Sequence, residues 1–374
     1  MKCKVAQNEL AKALKACEKS FLVRANLPVL SNILLTISKN GLEALSTNLE
    51  TATRVAVPCQ GEIDGRITLP GRVFMDFIWQ LPEQTLAIEL LGEEVLVTTK
   101  GYSARFASMP AEEFPAIPKI ESGKKIEIEA SVFAKACAQV VFCAAQDEGR
   151  PTLNGILCEL NKQNFSMVAT DGYRLGFVTI PIAGSVSLIK MIIPAKTLGE
   201  VIKLASELEQ EEDGKSLTIT IADTLTQANF KLGNIEFTSR LIEGEFPNWQ
   251  KIIPANFATS AKILREELTR RVRIAAVFAR DSGNIVRLKL EGKKLTILAT
   301  TAQVGSNETE MEAEISGKGG EIAFNYRYIL EALSAIDSEV INFQMSESLT
   351  PGRITPEDTK SGLFQIIMPV RLQG

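Results

Sequence analysis

Apolar positions along the chain switch between two periods, and the order of the switches is itself repeated. Leu10, Leu14, Cys17 and Phe21 recur every three to four residues, which is one face of a helix, and a strand at Lys2 to Val5 precedes them. Ile33 to Ser38 and Glu43 to Ser46 then flank Asn40-Gly41, a hairpin signature. After Pro70 an amphipathic run, Val73-Phe74-Phe77-Ile78, leads into strands at Leu86 to Leu90, Glu94 to Thr98 and Ser103 to Phe106. The succession returns with a strand at Lys125 to Ile128, a helix at Ser131 to Cys143 and strands at Gly155 to Leu160 and Phe165 to Thr170. A helix at Thr197 to Leu208 and strands at Leu217 to Ile221, Gln227 to Lys231 and Ile235 to Arg240 complete that copy. The third copy has a helix at Leu264 to Phe278, strands at Val286 to Leu290 and Leu295 to Thr300, a helix at Tyr326 to Ile336, and strands at Val340 to Met345 and Phe364 to Pro369.

Landmarks keep this register. Thr47, Thr170 and Thr300 stand at equivalent strand ends, and Pro70, Pro194 and Phe324 stand just before the second helix of each copy, a period of roughly 120 to 130 residues. Two helices among about eight antiparallel strands per copy make an α+β fold with the helices on one face of a sheet. Pro-marked linkers at 115–123 and 253–259 divide the chain into domains at 1–120, 121–254 and 255–374. The most specific short run is Met167 to Leu175, in which Asp171-Gly172 turns one strand back into the next because glycine accepts positive φ.

Composition narrows the chemistry. The chain has 374 residues and no histidine, which removes the commonest general base, the Ser-His and Cys-His pairs and every His-ligated metal site. Its six cysteines form no C-x-x-C pair and lie in or beside apolar stretches, so they read as buried reduced thiols. No segment has the apolar length a bilayer requires, and the opening MKCKVAQNEL lacks the core of a signal peptide; the expectation is a soluble, cytoplasmic protein. Net charge is −4, yet the six helical segments at 7–24, 71–80, 130–145, 195–207, 264–280 and 325–334 carry fourteen Lys or Arg against eight Asp or Glu. A solvated helix face explains some of this, but helices accept Glu as readily as Lys, so the asymmetry also fits a surface made for a polyanion.

Four features together carry a resemblance to a known family. They are A-T-D-G-Y-R-L at 169–175, I-I-M-P-V-R-L at 366–372, E-F-P-x-W with I-I-P at 245–254, and Leu27-Pro28-Val29-Leu30, all set in the threefold repeat. Over nearly its whole length the chain resembles the bacterial sliding clamps, the β subunits of DNA polymerase III. That resemblance implies three repeated domains of the DNA clamp type, a head-to-tail homodimer closed into a ring, and helices lining a hole that encircles duplex DNA without reading its sequence. It also implies a non-enzymatic processivity factor with no cofactor and no membrane partner. The partners it implies are the replicative polymerase, a separate ATP-driven clamp loader and other replication or repair proteins. By resemblance the DNA-facing positions are Arg24, Gln146, Lys196, Asn325 and Tyr328, to which helix charge adds Arg72, Lys12, Arg270 and Arg273. Carried over in the same way, a groove between the second and third domains takes short linear motifs. It comprises Leu153, Thr170, Gly172, Tyr173, Arg174, Leu175, Pro247, Lys251, Ile252, Leu349, Pro351, Ile366, Met368, Pro369, Val370, Arg371 and Leu372. By position Phe106 and Phe278 are candidates for the subunit contact, an aromatic pair suited to an interface core.

Two other classes compete. An enzyme using paired carboxylates would draw on Glu112-Glu113 or Glu211-Glu212-Asp213, but these runs have no apolar setting to raise a pKa. A repeat-built adaptor that binds proteins and no DNA shares the groove and differs only in what the helix cations do.

Overall fold

In a computed structural model the described residues are all except 22–26, 121, 148, 211–213, 302–304, 359–361 and 372–374, with the side chains of 183–187 also set aside. Six α-helices are present among them: α1 Gln7–Cys17, α2 Gly71–Gln80, α3 Ala130–Ala138, α4 Ala195–Glu207, α5 Arg265–Ala279 and α6 Tyr326–Ser334. Two are shorter than their apolar periodicity predicts. The first stops at Cys17 and tightens into a 3-10 turn at Glu18–Ser20, and the third stops at Ala138, with Val141–Cys143 as a separate 3-10 turn. At Val140 φ is −129°, outside the helical range, and both Val140 and Cys143 are fully buried. Burial of an apolar run is satisfied equally by a helix or by a collapsed turn, so periodicity overran the true end.

The chain forms two compact units, 1–131 with 200–241 and 132–199 with 242–374, and every strand pairing in them is antiparallel. In the first unit a five-stranded sheet runs in the order Cys59–Ile63, Lys2–Ala6, Thr85–Leu91, Glu94–Thr99, Tyr102–Ala107. An eight-stranded sheet begins with Gly123–Glu129, Ser216–Ala222, Gln227–Leu232 and Ile235–Arg240 from the second repeat. It continues through Thr51–Val57, Gly41–Thr47, Asn32–Ser38 and Gly65–Pro70 from the first. The two repeats are stitched by backbone bonds, with Ile235 opposite Val55 and Phe237 opposite Thr53.

The second unit repeats the device. A seven-stranded sheet carries the long hairpin Gly155–Thr170 and Arg174–Pro194, then Phe364–Ile367, Gly352–Pro356, Val340–Met345, Thr259–Leu264 and Glu314–Gly317. A four-stranded sheet holds Gly305–Glu312, Lys294–Thr301, Ile285–Glu291 and Gly320–Asn325. Because sheets run through the junctions between repeats, each compact unit contains one whole repeat and half of the middle one. The α+β reading holds, with helices packed on sheets: α1 buries Leu10, Leu14 and Cys17, and α5 buries Leu268, Val272 and Ala276. Among the described residues no helix is long and apolar enough to cross a membrane.

Candidate functional site

Two runs almost two hundred residues apart become neighbours in the second unit, and a turn explains how. Asp171 Oδ1 accepts hydrogen bonds from the amides of Tyr173 (2.8 Å) and Arg174 (3.0 Å). The Thr170 hydroxyl donates to Arg174 O (2.6 Å) and accepts from Gly172 N (3.1 Å), while Gly172 sits at φ 91°. This Asx turn has a twin in the first repeat. Thr47 donates to Thr51 O (2.8 Å) and accepts from Leu49 N (3.0 Å), and Asn48 Oδ1 accepts from Glu50 N and Thr51 N. Leu49, at φ 75°, stands where the later copy has glycine. In the third repeat the buried threonine is Thr301, one residue beyond the expected Thr300, which is exposed.

Strand Phe364–Ile367 pairs with the start of the returning hairpin strand, Leu175 opposite Ile366 and Phe177 opposite Phe364. Beyond it Met368 N donates to Tyr173 O (2.9 Å) and Val370 N to Ala323 O (2.8 Å), so the segment 368–370 is strung between the turn and the strand that leads into α6. Beneath lies a cluster of Leu157, Val168, Leu175, Ile192, Trp249 and Ile366, edged by Phe177, Phe246, Ile252 and Phe364. Phe177 stacks on Phe364 with ring centres 4.7 Å apart. Of the residues carried over to the groove, Leu153, Thr170, Leu175 and Ile366 are buried, Leu175 and Ile366 within that cluster. Ile252, Pro351, Met368, Pro369 and Val370 are half-buried, and Gly172, Tyr173, Pro247, Lys251, Leu349 and Arg371 are exposed. Tyr173 and Leu349 keep 61% and 59% of their surface in solvent, large apolar exposures for residues so close to a core. Leu372 lies outside the described residues.

Arg174 differs from its groove neighbours. Its Nε donates to Asp171 Oδ2 (3.1 Å), Nη2 to Phe142 O (2.6 Å) and Nη1 to Glu331, and the guanidinium lies over the rings of Phe142 and Tyr328 at 5.3 and 4.6 Å. Partial burial, reinforced by Asp171, raises the Tyr328 phenol and keeps it protonated.

The helix cations divide into two groups. Lys15 and Lys19 on and after α1 pair with Glu207, Lys19 also with Glu200, and Lys203 with Glu200. Arg72 is held by Glu18 (2.9 Å) and Asp76 (3.1 Å), Lys135 by Asp337 (2.6 Å), and Arg271 by Glu267. Among the described residues Lys196, Arg270, Arg273, Arg280 and Arg327 have no ion pair within 4.0 Å. Lys196 is in the first turn of α4 and exposed, as is Gln146 in its loop and Lys12 on α1. Asn325 caps α6 by accepting from Arg327 N (3.0 Å), and Tyr328 stands one turn on, half-buried. Arg24 lies outside the described residues.

The aromatic candidates for the subunit contact separate likewise. Phe106 is 6% exposed and packs edge-on against Phe74 (5.3 Å) and Phe77 (5.5 Å), so its ring belongs to the core of its own domain. Phe278 is half-buried. The exposed apolar side chains nearby are Val73 (62%) on α2 and Ile274 (44%) and Val277 (52%) on α5. Sequence reasoning passed over Ile274 and Val277 because they fall off the periodic core face of α5, whereas Val73, read into the apolar run with Phe74 and Ile78, is exposed while those two are buried.

Comparison with known proteins covers the chain from end to end. Family models described as the N-terminal, central and C-terminal domains of the DNA polymerase III beta subunit match residues 1–118, 127–248 and 250–371. The beta sliding clamp of Synechocystis sp. is 30% identical and that of Vibrio cholerae 27%, each match spanning all of both chains. Among solved structures, the DNA polymerase III beta subunit of Pseudomonas aeruginosa is 27% identical with a TM-score of 0.93, and that of Thermotoga maritima 26% with 0.91, again over both full chains.

Proposed function

Since the chain belongs to the DNA polymerase III beta subunit family, the beta sliding clamps, and is a processivity factor of DNA replication, we propose that two copies close head to tail around duplex DNA and hold partners by the groove at Tyr173 and Met368. The observation that carries the groove is the pairing of Arg174–Phe177 with Phe364–Ile367. It brings two motifs to one place, with exposed Tyr173 and Leu349 beside half-buried Met368, Pro369 and Val370 over an apolar floor. Such a surface suits an extended peptide carrying two large apolar side chains. Their burial contributes roughly 3 to 6 kcal/mol, much of it offset by ordering the peptide, so the isolated motif binds at about micromolar strength and a dimer gains by avidity.

The DNA face is assigned to the helices, with Lys196, Arg270 and Arg273 as its uncompensated cations; Gln146, Asn325, Tyr328 and Arg24, the last outside the described residues, are assigned to it by resemblance alone. Cations without a protein partner release counterions when they meet phosphates, in any sequence, which is what sliding requires. Arg72 is a weaker candidate, because Glu18 and Asp76 already neutralise it.

For ring closure, each compact unit offers an open sheet edge, Tyr102–Ala107 in the first and Gly305–Glu312 in the second. The former carries Arg105 and the latter Glu308, Glu310 and Glu312, so a head-to-tail pairing of the two edges is complementary in charge and covers both of them. Val73 against Ile274, Val277 and Phe278 supplies the apolar part of that contact. Domain limits at 1–120, 121–254 and 255–374 fit this scheme. Ring opening falls to a separate ATP-driven loader, since the chain has no G-x-x-x-x-G-K-[ST] loop.

The test is retention on nicked circular DNA at high salt. The chain is expected to stay on the circle and to be lost once the circle is linearised; loss at equal rates before and after cutting would rule out topological linkage. For the groove, Met368→Ala with Leu372→Ala is expected to abolish binding of a fluorescein-labelled synthetic peptide copied from the clamp-binding motif of a replicative polymerase, with the sedimenting mass unchanged. Native peptide affinity in that variant would remove the groove assignment.

A further inference from the structure

Arg174 is aligned with the partner groove and Tyr328 with the DNA face, yet the two side chains are in contact, the guanidinium carbon 4.6 Å from the ring centre. We propose that Arg174 is a positioning residue that makes no partner contact of its own and, by clamping Glu331 and Tyr328 of α6 to Asp171, fixes the turn that walls the groove.

The argument starts from the guanidinium. Each of its three nitrogens already has an acceptor in the chain, Asp171 Oδ2, Phe142 O and Glu331, and the side chain is only 12% exposed. A planar fork so bonded on all three nitrogens, with an aromatic ring 4.6 Å away, is pre-organised as a brace. What it braces follows from the second partner of each bond. The carboxylate that receives Arg174 Nε also builds the turn, since Asp171 Oδ1 holds the amides of Tyr173 and Arg174. Tyr173 O in turn anchors Met368 N.

On the other side, Tyr328 and Glu331 are three residues apart on α6 and so share a face. The strand leading into α6 anchors the next groove residue, Val370, through Ala323 O. Both backbone bonds that hold the segment 368–370 therefore end on pieces that Arg174 ties together. If α6 moved relative to the turn, Tyr173 O and Ala323 O would move relative to each other and the segment would lose its form. Substitutions on α6, outside the groove, should then weaken peptide binding. A protein that uses one cluster for the placement of both surfaces has its two faces mechanically joined at that point.

The proposal rests on the groove reading above, and the experiment separates the two. Affinity of the labelled polymerase-motif peptide is measured by anisotropy on the full-length chain and its variants Arg174→Lys, Glu331→Gln, both together, Tyr328→Leu, Tyr328→Phe and Met368→Ala. Arg174→Lys and Glu331→Gln are each expected to weaken binding about tenfold, with the double variant no weaker than the worse single, the non-additivity of residues acting as one unit. Tyr328→Leu is expected to weaken it several-fold while Tyr328→Phe, which keeps the ring and loses only the hydroxyl, restores native affinity. Native affinity in both Glu331→Gln and Tyr328→Leu, alongside a loss in Met368→Ala, would overturn the brace and leave the groove standing. Native affinity in Met368→Ala would overturn the groove and the brace with it. Additive losses in the double variant would mark Arg174 as a direct peptide ligand and refute its positioning role.

Discussion

Leu49 and Gly172 hold the same place in twin turns, at φ 75° and 91°, and only one of them is the residue that backbone sterics favour there. A leucine in the left-handed region costs about 1 to 2 kcal/mol, part of which glycine would return as unfolded-state entropy. Leu49→Gly is thus expected to raise stability by about 0.5 to 1 kcal/mol in urea titration, and Gly172→Ala to lower it by about 1 kcal/mol or more. The turn in the first repeat tolerates its strain because Thr47 and Asn48 satisfy its amides. The cysteines offer a second residue-scale check. Burial pushes the Cys17 thiol up to about 12, and burial together with Cys59 does the same for Cys3. Of the six, only Cys59 is less than fully buried. Alkylation with iodoacetamide at pH 8 is therefore expected to modify Cys59 alone and slowly in the native protein, and all six in denaturant, as read by intact mass.

At the scale of elements, the hairpin Gly155–Thr170 and Arg174–Pro194 is where packing is least forgiving. A Cβ on Gly155 would stand 2.3 Å from Ile192 Cγ2 and 2.8 Å from Ile242 Cδ1. Gly155→Ala is expected to cost about 1 to 3 kcal/mol, measured by denaturant midpoint, because Ile192 is buried in a filled cluster and the backbone oxygen of Ile193 would also stand 3.0 Å from the new Cβ. The hairpin was legible from its Asp-Gly turn, and its partner strand was not. Alternation tells which face of a strand is apolar, but the choice of neighbour is made by sheet closure over long sequence separations. Helix lengths show the same division: α2, α4, α5 and α6 end close to where their periodicity ends, whereas α1 and α3 stop early.

For the molecule as a whole, the helix surplus of positive charge is real in the sequence and thinner in the structure. Lys15, Lys19, Lys135, Lys203, Arg72 and Arg271 are each matched by an acid, in most cases one from another helix or from beyond its end. What remains for a polyanion is a smaller set. Charge reversal at Lys196 and Arg273 is expected to reduce retention on nicked circular DNA several-fold while sparing peptide binding, and reversal at Arg72 to do much less. Equal effects at all three sites would mean that the ion pairs open on DNA and that total charge governs. The candidates for the proposed subunit contact divide similarly. Ile274→Asp is expected to shift the sedimenting species to monomer with little change in thermal midpoint, whereas Phe106→Ala should lower stability by about 3 to 5 kcal/mol through the cavity left between Phe74 and Phe77.

From its sequence alone the chain declared a thrice-repeated α+β unit, the Asp171-Gly172 turn, the reduced and inward cysteines, and, through a handful of motifs, its family. These are properties of periods and turns spanning a few residues, or of short runs that survive intact in a sequence, and local sterics suffice to read them. Tertiary structure decided that sheets run through the junctions between repeats, that Phe106 is core, that several of the described helix cations are neutralised, and that Arg174 is spoken for by Asp171, Glu331 and Phe142. Each of these depends on which distant segment arrives alongside. A side chain's charge and shape are written locally, but its solvent exposure and its partner exist only once the chain has closed on itself.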